Sequence, residues 1–246
     1  RKRVENFAEF LQNEGFKVYP YHAGLSKEVR ERNQDRFIKE DGVIMVATIA
    51  FGMGIDKPDV RFVCHMDLPK SMEAYYQETG RAGRDGLDSD AWLVYGLGDV
   101  VQLRSFINNS NAPDEQKRIE HKKLNSLLAY VETADCRRKV LLDYFNEKYE
   151  APCNNCDTCI HHPETYDATV EIQKILSCIF RVNKSAGRFG FGAAHIIDIL
   201  QGKETDKILK FGHNKLSTFG IGKETDVFQW QSIIRQLAVM GFVEID

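Results

Sequence analysis

Four of the chain's six cysteines fall in one stretch: Cys136, then, after sixteen residues, Cys153-Asn-Asn-Cys156-Asp-Thr-Cys159. C-x-x-C spacing lets successive sulfurs point at one ion, and four thiolates complete a closed tetrahedral zinc shell with Zn–S near ~2.3 Å. A closed shell has no open position for a substrate. The predicted site is therefore structural, pinning the helix that bears Cys136 to the loop after Pro152. His161 and His162 are the rival ligands, made redundant because Cys159 completes the set. Six cysteines in 246 residues are too sparse for a disulfide scaffold. Cys64, on a strand, and Cys178, in an apolar helical stretch, read as small buried hydrophobes.

On either side of this cluster the text changes character. From Arg1 to about Ser110, helix-like and strand-like pieces alternate, as in parallel α/β domains. Val4, Phe7, Ala8 and Leu11 share one face of a helix ending near Gly15. Short apolar runs at 17–21, 42–48, 61–66 and 91–95 read as buried strands, with one helix opened by Ser26 and running through Phe37 and another from Met72 to about Arg81 between them. The class predicted is α/β, a doubly wound parallel sheet. Because the chain opens directly on a helix, an N-terminal strand is expected to be missing, and the sequence reads as a fragment.

From Asp114 to Tyr149 two helices precede the cysteine loop. After His162-Pro163, helices are predicted at about 169–183, 193–201, 204–211 and 227–240, with Gly202, Gly212 and Gly241 at left-handed positions past three of their ends. Asp226 and Gln229 resemble a capping box, and Trp230, Ile233, Ile234 and Leu237 form one apolar stripe. Residues 242–245 alternate like the first strand of a hairpin. Helices followed by a strand pair predict a winged helix with its wing cut short. Trp230 and Trp92 both read as core. The division expected is 1–110, 111–163 and 164–246.

A net charge of −3 and a pI near 6.2 exclude a protein that grips nucleic acid through a broad basic surface, so any DNA contact must be local. No apolar run approaches the roughly 18 residues that span a bilayer. The chain reads as soluble and intracellular, with no membrane partner; in a bacterium that means cytoplasmic and nucleoid-associated.

The string richest in chemistry is Gln77-Glu-Thr-Gly80-Arg81-Ala-Gly83-Arg84-Asp-Gly86. Two arginines three residues apart project near a helix end, and the glycines permit close backbone approach. Guanidinium forks suit a phosphate that gains negative charge during transfer. With Val46-Ala-Thr48-Ile-Ala-Phe-Gly52-Met-Gly54-Ile-Asp56-Lys57-Pro58 and Tyr21-His22-Ala23-Gly24-Leu25 upstream, this string closely resembles the second RecA-like domain of RecQ helicases. Tyr75-Tyr76 and Cys136-Arg137-Arg138 extend the resemblance along nearly the whole chain.

The resemblance implies roles residue by residue. Arg81 and Arg84 match arginine fingers that reach the γ-phosphate, and Gln77 opens the same motif. Asp56 matches a position facing the nucleotide, where Gly54 lets the backbone come close. Thr48 matches a position near the single-strand path, and its other reading is an ordinary strand-end hydroxyl. Two basic groups, Arg181, Lys184 and Arg188 and then Lys210, His213 and Lys215, are candidates for DNA phosphates; Arg188, His213 and Lys215 are the predicted contacts.

No G-x-x-x-x-G-K-[ST] occurs, and Gly220-Ile-Gly222-Lys223-Glu224 is too short to be one. The acidic magnesium motif is absent too. ATP, magnesium and the water-activating carboxylate are therefore expected from a first RecA-like domain in cis, and the fragment alone is predicted inactive. The implied protein is an ATP-dependent 3′–5′ DNA helicase of recombination and repair, acting on single strands and duplex junctions. A non-catalytic, zinc-stapled DNA-binding adaptor is the alternative, and an RNA remodeller a more distant third.

Overall fold

The computed structural model describes residues 1–51, 55–186 and 190–243, the side chains of 185 and 186 excepted. The predicted sites Gly54 and Arg188, and the strand positions Glu244 and Ile245, lie outside the described residues. Two compact units divide the chain: Arg1–Met66 with Glu73–Val94, and Asp67–Met72 with Tyr95–Asp246.

The first unit is α/β. Helix α1 (Lys2–Asn13) precedes β1 (Lys17–Tyr21), α2 (Lys27–Lys39), β2 (Val43–Ala47), β3 (Phe62–His65), α3 (Met72–Thr79) and β4 (Asp90–Leu93). Strands β1 and β2 pair in parallel, Lys17 opposite Val43; β3 and β4 pair in parallel, Phe62 opposite Asp90. The parallel sheet is thus present as two two-stranded pieces among the described residues. Ser26 caps α2, its Oγ accepting from Val29 N at 3.3 Å. His22 is buried, and accepts from Gly24 N through Nδ1 while Nε2 faces Glu5 Oε1 at 3.1 Å.

Two core expectations fail here. Cys64 is exposed and Trp92 is 63% exposed. They stand opposite each other in the β3–β4 register, on a face of the pair that is open to solvent. An apolar run marks which residues share a strand, not whether that face is covered.

The second unit is helical. It contains α4 (Leu97–Asn108), α5 (Asp114–Glu132), α6 (Arg137–Tyr144), α7 (Asp157–Ile160), α8 (Thr169–Ala186), α9 (Ala193–Leu200), α10 (Asp206–Phe211) and α11 (Val227–Val239). Helix α4 had no counterpart in the sequence reading. A core of Ile175, Cys178, Ile199, Leu200, Ile208 and Trp230 joins α8 to α11, each of these side chains fully buried. Cys178 is thus the small core residue predicted.

Gly202, Gly212 and Gly241 take φ of 70°, 69° and 80° at the three predicted helix ends. The bond from Phe242 N to Leu237 O closes α11 in the Schellman pattern. Phe242 and Val243 therefore belong to the helix-ending turn and form no strand. Asp226 Oδ1 accepts from Gln229 N at 3.0 Å, capping the same helix at its start. Gly222 passes so close to the indole that an added Cβ would sit 2.5 Å from Trp230 Cζ2; in return the Trp230 Nε1 proton goes to Gly222 O at 3.2 Å.

Candidate zinc centre and arginine-bearing loop

Cys136 caps α6, Cys156 caps α7, and Cys159 sits inside that short helix. Their three sulfurs and that of Cys153 all lie within 4.8 Å of one another, the one such cluster among the described residues. The Cys153 and Cys159 sulfurs are 3.9 Å apart. A tetrahedron with bonds of ~2.3 Å has edges of about 3.8 Å, so the donor set fits a zinc ion. Asn154 takes a left-handed φ of 52°, and Cys156 N donates to Cys153 Sγ at 3.3 Å, folding the first C-x-x-C into a knuckle.

The electrostatics suit a cation. Burial opposes a thiolate at Cys156, but bonds to the Thr158 hydroxyl, the Arg137 backbone and the neighbouring thiols outweigh it and lower the thiol to about 6. Burial raises Cys159 to about 11, with its place among the other sulfurs adding to the effect. A dication at the centre removes such protons, since thiolates are its ligands. Histidine is not needed: His161 and His162 are exposed, and His162 Nδ1 faces Thr158 O at 3.2 Å.

Arg137 is a brace that sequence reasoning passed over. Its Nε meets Asp157 Oδ1 at 2.5 Å, and its Nη1 donates to Tyr130 O at 2.9 Å. One guanidinium thus ties the end of α5, the start of α6 and α7 around the sulfurs. Its signal in the sequence was only its place beside Cys136.

The arginines sit where α3 gives way to a tight turn. Gly80 N bonds Tyr76 O at 2.9 Å, and Arg81 N bonds Glu78 O at 3.4 Å. Arg81 is half-buried; Arg84 and Gln77 are exposed. Gly83, at φ 66°, donates to Val60 O at 2.9 Å, and a Cβ there would meet Ser89 Oγ at 2.6 Å, so the turn demands glycine. Arg61 fastens the far side, with Nη2 on Asp85 Oδ2 at 2.5 Å and Nη1 donating to Asp88 O at 3.1 Å.

Of the predicted residues, the structure brings Arg84 and Asp56 together: Nη1 to Oδ1 is 3.3 Å, and Arg84 Nε also donates to Gly80 O at 3.3 Å. So exposed an ion pair holds its guanidinium loosely and leaves it able to turn to a stronger anion. Thr48 directly follows β2, and its Oγ1 accepts from Ala50 N at 3.4 Å. That bond is the turn-forming role of a strand-end hydroxyl.

One phosphate contact is corrected. His213 is 1% exposed, and its Nδ1 lies 2.8 Å from His195 Nε2 beneath the Phe191 ring. Burial removes it from any surface a phosphate reaches. Lys215 and Lys210 remain exposed, as do Arg181 and Lys184.

A parallel α/β unit bearing paired arginines, then a four-cysteine module and a helical domain, is the architecture of the C-terminal region of a helicase. Three family profiles match it in turn: a helicase conserved C-terminal domain over residues 1–86, a RecQ zinc-binding domain over 97–160 and an RQC domain over 162–246. The ATP-dependent DNA helicase RecQ of Haemophilus influenzae is 46% identical over 245 residues, 99% of this chain and 38% of that protein. Its Bacillus subtilis namesake is 38% identical over 245 residues, covering 100% and 40%. The RecQ-like DNA helicase blm-1 of Caenorhabditis elegans is 34% identical over 259 residues, covering 99% and 26%. The chain belongs to the RecQ family, and it spans two fifths or less of the length of these relatives.

Proposed function

We propose that this chain is the C-terminal part of an ATP-dependent DNA helicase that moves 3′ to 5′ along one strand in recombination and repair. The observation that carries the reading is the loop after α3: two guanidinium groups, at Arg81 and Arg84, on a turn braced by Gly83 and Arg61. Closure of a nucleotide-binding half in cis brings ATP and magnesium to these arginines, which stabilise the transferring phosphoryl group. Gln77, Gly54 and Asp56 line the nucleotide side of that cleft. Segment 1–110 serves as the motor half, 111–163 as the zinc module and 164–246 as the winged helix, laid over the two compact units.

Cys136, Cys153, Cys156 and Cys159 hold zinc, which supplies a fixed cross-link between α6 and the loop that carries α7. Thr48 lies on the single-strand path, and Arg188 and Lys215 meet duplex or junction phosphates. In a bacterium the work is done on the nucleoid.

The test is DNA-stimulated ATP turnover and strand separation by a longer polypeptide that adds a Walker A half to this chain. Activity that Arg81→Ala and Arg84→Ala abolish supports the motor. DNA binding with no turnover in the unmutated polypeptide means the adaptor reading instead.

A further inference from the structure

His65 is the last residue of β3. Its side chain is only 10% exposed, and Nε2 lies 2.7 Å from Glu78 Oε2. The imidazole packs on the Tyr75 ring at a centroid distance of 5.4 Å. Nδ1 is buried with no hydrogen-bond partner among the described residues. Only Nε2 has a partner, so the ring makes one directed polar contact, an Nε2–H donated to the Glu78 carboxylate.

Where that contact leads gives it meaning. Glu78 follows Gln77 in α3, and its own backbone carbonyl accepts from Arg81 N at 3.4 Å. A line of bonds therefore runs from the end of β3, through the Glu78 side chain and backbone, to the amide of Arg81. Arg61 anchors the other flank through Asp85. The loop is gripped from the sheet on both sides, by an imidazole upstream of Arg81 and a guanidinium downstream of Arg84.

We infer that His65 is a positioning residue for phosphoryl transfer: through Glu78 it holds the end of α3 so that Arg81 meets the phosphate in register. This rests on the motor reading above. A group that acts only in the transition state is sensitive to small displacement, and its misplacement lowers kcat while leaving substrate affinity nearly intact.

The experiment uses the longer polypeptide with its nucleotide-binding half and compares three variants with the unmutated protein in steady-state, DNA-stimulated ATP hydrolysis. His65→Phe keeps a ring on Tyr75 but loses the donor. His65→Gln keeps a donor near the position of Nε2. Glu78→Gln keeps the shape of the acceptor but removes its charge. His65→Phe and Glu78→Gln are expected to lower kcat by roughly tenfold or more, with KM for ATP within about twofold. His65→Gln is expected to restore kcat to within about threefold of the unmutated protein. Equal kcat for His65→Phe and His65→Gln, whether both normal or both depressed, overturns the inference, because a purely structural ring does not distinguish them. A rise in KM without loss of kcat overturns it as well. An unmutated polypeptide that hydrolyses no ATP overturns the motor reading itself, and this inference with it.

Discussion

Arg84 Nη1 stands 3.3 Å from Asp56 Oδ1, joining two residues 28 positions apart in an ion pair whose side chains are 42% and 89% exposed. Solvent screens such a pair, so it contributes little to folding. Asp56→Ala and Arg84→Ala are each expected to leave the melting temperature of the chain within about 2 °C. In the longer polypeptide, Arg84→Ala should instead lower ATP turnover by about 10³-fold, the scale of a lost arginine finger. Melting curves and turnover measured side by side check both, and a large fall in stability would mean that Arg84 is chiefly structural.

Zinc and stability are coupled through the four sulfurs. One equivalent of zinc is expected per chain by metal analysis. Cys156→Ala, or extraction by a strong chelator, should destabilise the region from Asp114 to His162 by several kcal/mol, because binding energy at a structural site is folding energy. A melt unchanged by the chelator would refute this.

Acid should loosen the helical unit through a buried pair. Burial, then the neighbouring His213 and Lys207, lowers His195 to about 4, with Asp198 opposing; burial also lowers His213. Both groups therefore bind protons more weakly folded than unfolded. Stability is complete above the ordinary histidine range and is lost as pH falls from about 6.5 towards about 4, by up to about 3 kcal/mol for His195 alone. Urea melts at pH 7.5 and pH 5 measure the loss. A His195→Gln variant should show a shallower dependence, and one as steep as that of the unmutated chain would place the titration elsewhere.

Gly222→Ala tests the contact beneath the indole. The added methyl meets Trp230 Cζ2 at 2.5 Å, and Trp230 is fully buried. Overpacking of this kind should cost about 1–3 kcal/mol, read as a shift in denaturation midpoint with an unchanged slope.

What was legible in the residues is what local interactions decide. The caps at Ser26 and Asp226 and the left-handed Gly202, Gly212 and Gly241 each depend on neighbours a few positions away. The cysteine cluster was legible for a different reason: ligand spacing is a covalent constraint. Helix α4 was missed because Gly96-Leu97-Gly98 reads as a break, yet Asp99 Oδ2 takes the Gly96 N–H at 2.8 Å and starts a helix there.

Of the candidate site, the residue types were legible and their surroundings were not. His213 stood among lysines in the sequence, while its partner His195, 18 positions away, shares a buried pocket with it. Trp92 and Cys64 sat in apolar runs, but whether a sheet face is covered depends on elements far along the chain. Arg61, His65 and Arg137 hold their sites through bonds to residues 24, 13 and 20 positions distant, beyond any motif.

The end of α11, closed locally by its turn, is also held from far away. Arg104, on α4, donates through Nη2 to Ala238 O at 3.0 Å, and Arg235 of α11 meets Glu132 of α5 at 2.5 Å while lying over the Tyr95 ring. Residues of the segment matched as zinc-binding thus brace the last helix of the segment matched as RQC. For anyone dividing the gene, the junction at 160–162 between the two matched segments is one that side-chain contacts cross. A protease nick there should leave two pieces still joined by these contacts, and an RQC segment expressed by itself would lose the Arg104 donor and the Glu132 carboxylate, keeping its own Gly241 N–H on Ala238 O and Ser232 Oγ beside Arg235.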